Sequence, residues 1–329
     1  MLDSGFPVDA VWRDIHWIDE YRVLFRGVVL GTYKPGRADG PNYNRGVLVT
    51  AHVWDTRRNK VERYGDTQKS LHYFCGLKGY VSYVWQGKLY AGPFGMEQVV
   101  PTRSPADSFS ERNPQSCKPY AGVSEFDAWR TENKRIAVQL LEEHGWLEVA
   151  RESPNLLLYR NSKSAPVETA IPKQVGPGAN LTTDVRYVPW ANLYLAIGNW
   201  GAGKRINPAW YLRPDGSSIK VKWPEGEWEA SADYLSTRMG LLVSGRKRDL
   251  SGHFLLTSGV PTRIAVGYWK SASVSPDGCK VAFRHAANPE DEARGYAEWR
   301  AGRPANTLRM IDVCQPARAG RPASSASPG

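Results

Sequence analysis

At 329 residues the chain could hold two average domains, but all-β folds often run past roughly 200 residues as one unit, so length alone does not divide it. Its hydrophobic content of 41% suffices for a large core, and its longest apolar run falls far short of the roughly 20 residues a membrane-spanning helix needs. The net charge of +10 raises nucleic acid as a partner, but the excess is spread along the chain and partly confined to the C-terminal end, so nucleic acid is not expected. The 13 Trp, 16 Tyr and 8 Phe suit pleated surfaces packed between sheets, and the 31 Gly and 23 Pro punctuate many short strands.

The N-terminus shows no basic start followed by an apolar stretch, which fits a cytoplasmic protein or a mature form given a start methionine. Trp17 to Phe25 then reads as strand, polar turn, strand. The same layout recurs at Gly76 to Gly79 before Tyr80, at Ser153-Pro154-Asn155 before Leu156, at Pro189 to Asn192 before Leu193, and at Arg238-Met239-Gly240 before Leu241. Between the second and third copies, residues 101–143 read as an insertion, in which Phe126, Trp129, Ile136 and Leu140 recur near helical spacing. The sixth and sharpest copy is Ser275-Pro276-Asp277-Gly278-Cys279-Lys280-Val281-Ala282-Phe283. Proline presets φ, aspartate bonds back to the backbone and glycine accepts positive φ, so this tight turn feeds a strand. Leu308 to Val313 reads as another strand, and residues 315–329, rich in Pro, Ala, Ser and Gly, are expected to be disordered.

The Ser-Pro-Asp-Gly turn followed by a strand near Ile311-Asp312 resembles the blade repeat of TolB-like propellers, relatives of the WD40-like repeat proteins, over about residues 269–314. A repeat of four strands about every 40 to 50 residues is the propeller signature. The expectation is therefore all-β: a single β-propeller of about six four-stranded blades over residues 1–314, with a β-sandwich plus a second domain as the competing arrangement. The last blade shows three strands, and its fourth is expected from the N-terminus around Phe6 to Val11, which would remove an open edge.

Cys279 opens the second strand of the last blade and Cys314 closes the third, so a cross-strand disulfide is expected, in a register that sets Arg284 against Arg309. Cys75 and Cys117 are the other candidate pair. Disulfides imply an oxidising compartment such as the periplasm, and the TolB resemblance implies the same; four buried free thiols in a cytoplasmic protein are the alternative.

Motifs that suggest chemistry fail on inspection. Gly198 to Lys204 matches the glycine and lysine spacing of a phosphate-binding loop, but Arg205 stands where Ser or Thr is needed and Pro208 follows where a helix must begin. Trp54-Asp55 occurs once and reads as a strand end, and Glu143-His144 has the residue types of an acid/base pair, but a lone histidine beside a charged residue reads as structural or solvated. The six histidines show no metal-ligand spacing, and no cofactor or metal is expected. No nucleophile elbow is present.

The long loops, residues 27–46, 198–209, 245–252 and 286–306, join second to third strands and should share one face. The first three carry a net +2 each and the last −1. Lys34, Arg37, Trp200, Lys204, Arg205, Arg246, Lys247 and Arg248 are the candidate binding residues. The expected function is a non-enzymatic binding or scaffold propeller of the bacterial envelope, a monomer holding a protein or glycan partner, possibly an anionic one, on this basic face. The alternative is a propeller enzyme acting on glycans through acidic residues at the central channel.

Overall fold

The computed structural model describes residues 1–8, 15–28, 49–66, 75–77, 79–85, 88–101, 128–129, 132, 138–141, 144–150, 152–173, 184–198, 207–223, 228–247, 250–257, 260–265, 268–286 and 307–315. These form six four-stranded antiparallel sheets taken in chain order. Sheet I contains β2 (Ile15–Trp17), β3 (Arg22–Val28), β4 (Val49–Asp55) and β5 (Lys60–Asp66). Sheet II contains β6 (Cys75–Leu77), β7 (Tyr80–Trp85), β8 (Lys88–Pro93) and β9 (Gln98–Val100). Sheet III contains β10 (Val138–Leu140), β11 (Trp146–Val149), β12 (Asn155–Tyr159) and β13 (Val167–Pro172). Sheet IV contains β14 (Asp184–Val188), β15 (Leu193–Ile197), β16 (Ala209–Leu212) and β17 (Ser218–Lys220). Sheet V contains β18 (Trp228–Thr237), β19 (Gly240–Lys247), β20 (Leu250–Thr257) and β21 (Val260–Ala265). Sheet VI joins β22 (Tyr268–Val274), β23 (Lys280–Ala286) and β24 (Thr307–Asp312) to β1 (Leu2–Pro7) from the other end of the chain.

The strands that donate most to the core are buried on both faces, as expected where one sheet is sandwiched between two others. In β3, Phe25 packs with Trp54, Ala282 and Leu308 toward sheet VI, whereas Leu24 packs with Val53 and Val81 toward sheet II. Leu158, Tyr194 and Trp210 join sheets III and IV; Leu195, Tyr234 and Phe254 join IV and V; Leu242, Val281 and Phe283 join V and VI. The last sheet thus packs on the first, an arrangement consistent with a propeller.

Contacts between turns put the ends of the sheets in common. The amide of Gly79 donates to the carbonyl of Ile18, Arg238 N–H donates to Gly278 O at 2.8 Å, and Trp17 Nε1 donates to Ser273 O at 2.9 Å. His144 Nδ1 lies 2.7 Å from Tyr194 Oη, which brings sheet III into the same set. Gly278, at φ 77°, is fixed by this crowding: a Cβ there would meet the Trp190 ring at 2.6 Å.

Four expectations need correction. The insertion cannot extend to residue 143, because Val138–Leu140 is the first strand of sheet III, paired with Trp146 to Glu148. Ala128, Trp129 and Glu132 have helical backbone, but Leu140 belongs to β10, and Trp129 packs on Trp146 and Tyr159 at ring distances of 5.3 and 5.0 Å. In consequence the turn at Ser153 to Asn155 joins second to third strands and leaves sheet III at the opposite end from the other five turns. The closing strand is Leu2–Pro7, not Phe6 to Val11; Leu2 opposes Met310 and Asp3 opposes Arg309.

The fourth correction is one of register. Cys279 and Cys314 are bonded, with Cα atoms 5.1 Å apart, but Arg284 opposes Leu308 and it is Phe283 that opposes Arg309. Both cysteines lie just past the ladder, where Val313 N–H donates to Cys279 O at 2.8 Å, so the bridge runs diagonally. The side chain of Cys75, residue Cys117 and the segment 316–329 lie outside the described residues.

Candidate functional site at the junction of sheets IV and V

In each sheet the antiparallel order sends first-to-second turns out at one end. Second-to-third connections, and the links between sheets, leave from the other. Lys34 and Arg37 belong to the connection from β3 to β4; Trp200, Lys204 and Arg205 to that from β15 to β16; and Arg248 to that from β19 to β20. All six lie outside the described residues. Arg246 and Lys247 are the last two residues of β19, opposing Ser251 and Leu250, so the expected long loop at 245–252 is instead a continuing hairpin with only residues 248 and 249 at its tip. Arg246 also opposes Glu229 in the ladder.

The best-defined polar geometry links β14 and β18, the first strands of sheets IV and V. Arg186 Nη1 donates to Tyr234 O at 3.2 Å. Tyr234 is fully buried, and its hydroxyl accepts from the Asn207 amide at 3.0 Å, tying the chain just before β16 to β18. Burial pushes the Tyr234 phenol up to about 12, the Asn207 N–H opposing the shift in part. The Trp223 ring packs on Tyr234 at 5.1 Å, and Ser236 Oγ donates to Tyr211 Oη at 3.3 Å, whose phenol burial also raises.

Three acidic positions fall on these two strands. Asp184 is the first residue of β14, opposing Ile197. Glu229 is the second of β18, and Asp233 lies in a bulge, because Ala230 opposes Gly245 while Tyr234 opposes Val243. Reading the sequence alone singled out none of these three positions. The separation of carboxylates is a three-dimensional property, and only the strand order reveals which acids fall on the first strands of sheets IV and V.

A second feature also escaped sequence reading. Val23-Leu24-Phe25-Arg26 in β3 and Val281-Ala282-Phe283-Arg284 in β23 occupy equivalent places, and both arginines are 2% exposed. The repeated Val-x-Phe-Arg was visible in the sequence and would have aligned these two sheets directly. Among the described residues, no three His, Cys, Asp or Glu side chains are grouped as a metal requires, and no helix is long and apolar enough to cross a membrane.

The fold defines a propeller-like, all-β protein, and solved structures share that coarse likeness. No protein-family profile and no curated protein matches the sequence. A protein from Lactobacillus plantarum aligns with 89% of this chain and 99% of its own at 12% identity and a TM-score of 0.33. Puromycin hydrolase aligns with 87% of this chain and 52% of its own, at 12% identity and a TM-score of 0.38. TolB from Acinetobacter baumannii aligns with 89% and 66% at 11% identity and a TM-score of 0.32. The chain spans about half or less of the hydrolases in this set. Besides puromycin hydrolase, these include prolyl endopeptidases, an acylaminoacyl peptidase of Pyrococcus horikoshii and, at 56% of its length, the AtxE2 isopeptidase. The expectation of a non-enzymatic scaffold propeller is corrected on this finding, since several of these solved structures are hydrolases; at such identities and TM-scores the likeness is one of coarse fold alone.

Proposed function

We propose that the chain hydrolyses glycosidic bonds of an acidic glycan at the end of the sheets where β14 and β18 begin. Asp184, Glu229 and Asp233 are the carboxylates from which the reacting pair is drawn. One carboxylic acid protonates the departing glycosidic oxygen while a second carboxylate attacks the anomeric carbon or activates water, which needs a separation of about 5–10 Å. The contact from Arg186 to the Tyr234 carbonyl carries the reading, because it ties β14 to the strand whose bulge holds Asp233. Lys34, Arg37, Lys204, Arg205, Lys247 and Arg248, with Trp200, would hold the acidic sugars, in keeping with the chain's +10 charge. The closed six-bladed ring, its TolB-like character and an extracytoplasmic location belong to the same reading. The closing pair β1 and β24 supports the ring, and the Cys279–Cys314 bond supports the location.

The test is release of reducing ends from polygalacturonate by the wild type and by D184N, E229Q and D233N. At least two of the variants should lose about a hundredfold or more in rate without a change in melting temperature. No release by the wild type, or three variants as active as it, would overturn the reading.

A further inference from the structure

We propose that Arg186 is a specificity-determining residue, its guanidinium pairing with the carboxylate of a uronate unit bound at β14. The assignment deepens the glycan reading and rests on it. The two faces of β14 are used differently: Val185 packs into the cluster shared by sheets III and IV, whereas Val188 packs with Tyr234 and Phe254 of sheet V. Side chains of a strand alternate with a period of two, so Arg186 falls on the sheet V side with Val188. Its Nη1 accordingly donates to the Tyr234 carbonyl at 3.2 Å. The residue is half-buried, so part of it faces solvent.

A carbonyl oxygen is neutral, so the tie to Tyr234 positions the guanidinium without cancelling its charge. Tyr234 is itself held fast: it is fully buried, its ring packs on Trp223 at 5.1 Å, and its hydroxyl accepts from Asn207 N–H at 3.0 Å. An arginine anchored in this way suits a carboxylate, because its planar fork of donors matches the two oxygens and little side-chain freedom is left to lose. Its place in the fold is also unusual for this chain. The six first strands contain only two strongly basic residues, Arg186 and Lys270, and Arg186 is on the strand that begins with Asp184. The hydroxyls of a neutral sugar do not select for a cation, whereas a uronate presents both the negative charge and the paired oxygens that the fork recognises. Arg186 would thereby choose acidic over neutral units, a binding role that requires no proton transfer.

The experiment is calorimetric titration of hexagalacturonate, and of its methyl ester with the carboxylates blocked, into the wild-type chain, R186Q and R186K. Glutamine keeps a donor for the Tyr234 carbonyl and removes the charge. R186Q should bind hexagalacturonate about tenfold more weakly, while matching the wild type in melting temperature and in its response to the methyl ester. R186K, which keeps the charge but not the fork, should fall between the two. An equal loss for both ligands, as a purely structural tie would give, overturns the assignment. So does hexagalacturonate binding by R186Q equal to that of the wild type, or a wild type that does not bind hexagalacturonate. A selective loss in a protein that releases no reducing ends would leave this contact standing and defeat the carboxylate mechanism. Release of reducing ends with unchanged R186Q binding would do the reverse.

Discussion

The turn at Ser275 to Lys280 shows how much a short motif can determine by itself. Asp277 Oδ1 accepts from Cys279 N–H at 3.0 Å, Ser275 Oγ accepts from Lys280 N–H at 2.8 Å, and Gly278 N–H donates to Ser275 O at 2.9 Å. Every partner is within five residues, which is why the turn was legible from the sequence. Burial pushes the Asp277 carboxyl up, but the Ser275 hydroxyl, the Cys279 N–H and the Lys280 ammonium outweigh it and hold the group below its ordinary 3.8. A carboxylate depressed in the folded state stabilises fully above its unfolded value and loses that contribution as pH falls through its folded value. D277N should therefore cost about 1 kcal/mol at pH 7. It should also flatten the fall in melting temperature below pH 4, relative to the wild type. Parallel acid profiles for the two proteins would refute this role. By contrast, the burial of Arg26 and Arg284 depends on neighbouring sheets, so the repeated Val-x-Phe-Arg marks their place in the strand but not their burial.

At the scale of strands, alternation of apolar residues located the hairpins, whereas short or irregular pairings were hidden. β10 has three residues, Val138-Gln139-Leu140, too few for any periodicity, and Trp129 and Leu140 happen to share a helical spacing. Missing this strand shifted the third turn by one strand and assigned it to the wrong end. Pairing of β23 with β24 was legible, but its register was misjudged by one residue because a disulfide can bridge two strands diagonally beyond their last ladder pair. The bond closes a loop with a sequence separation of 35, for which chain entropy gives about 3–4 kcal/mol. C279S with C314S should lower stability by about that amount. Protein taken from an oxidising compartment should resist alkylation at both positions until reduced. Ready alkylation without reductant would count against both the bond and the extracytoplasmic reading.

For the molecule as a whole, the junctions between sheets decide where chemistry can occur. Trp17, Gly79, His144, Trp190 and Gly278 knit the first-to-second turns together, leaving the opposite end to the connections that carry Lys34, Arg37, Lys204 and Arg205. The basic character of those connections was legible from composition; that Asp184, Glu229 and Asp233 fall on the first strands of two sheets was not, since it follows only from the strand order. A crystal of the D233N variant soaked with hexagalacturonate tests the central claim most directly. Sugar density should lie between the start of β14 and the bulge of β18. Ordered sugar confined to the first-to-second turn end, or to the outer strands, would contradict it.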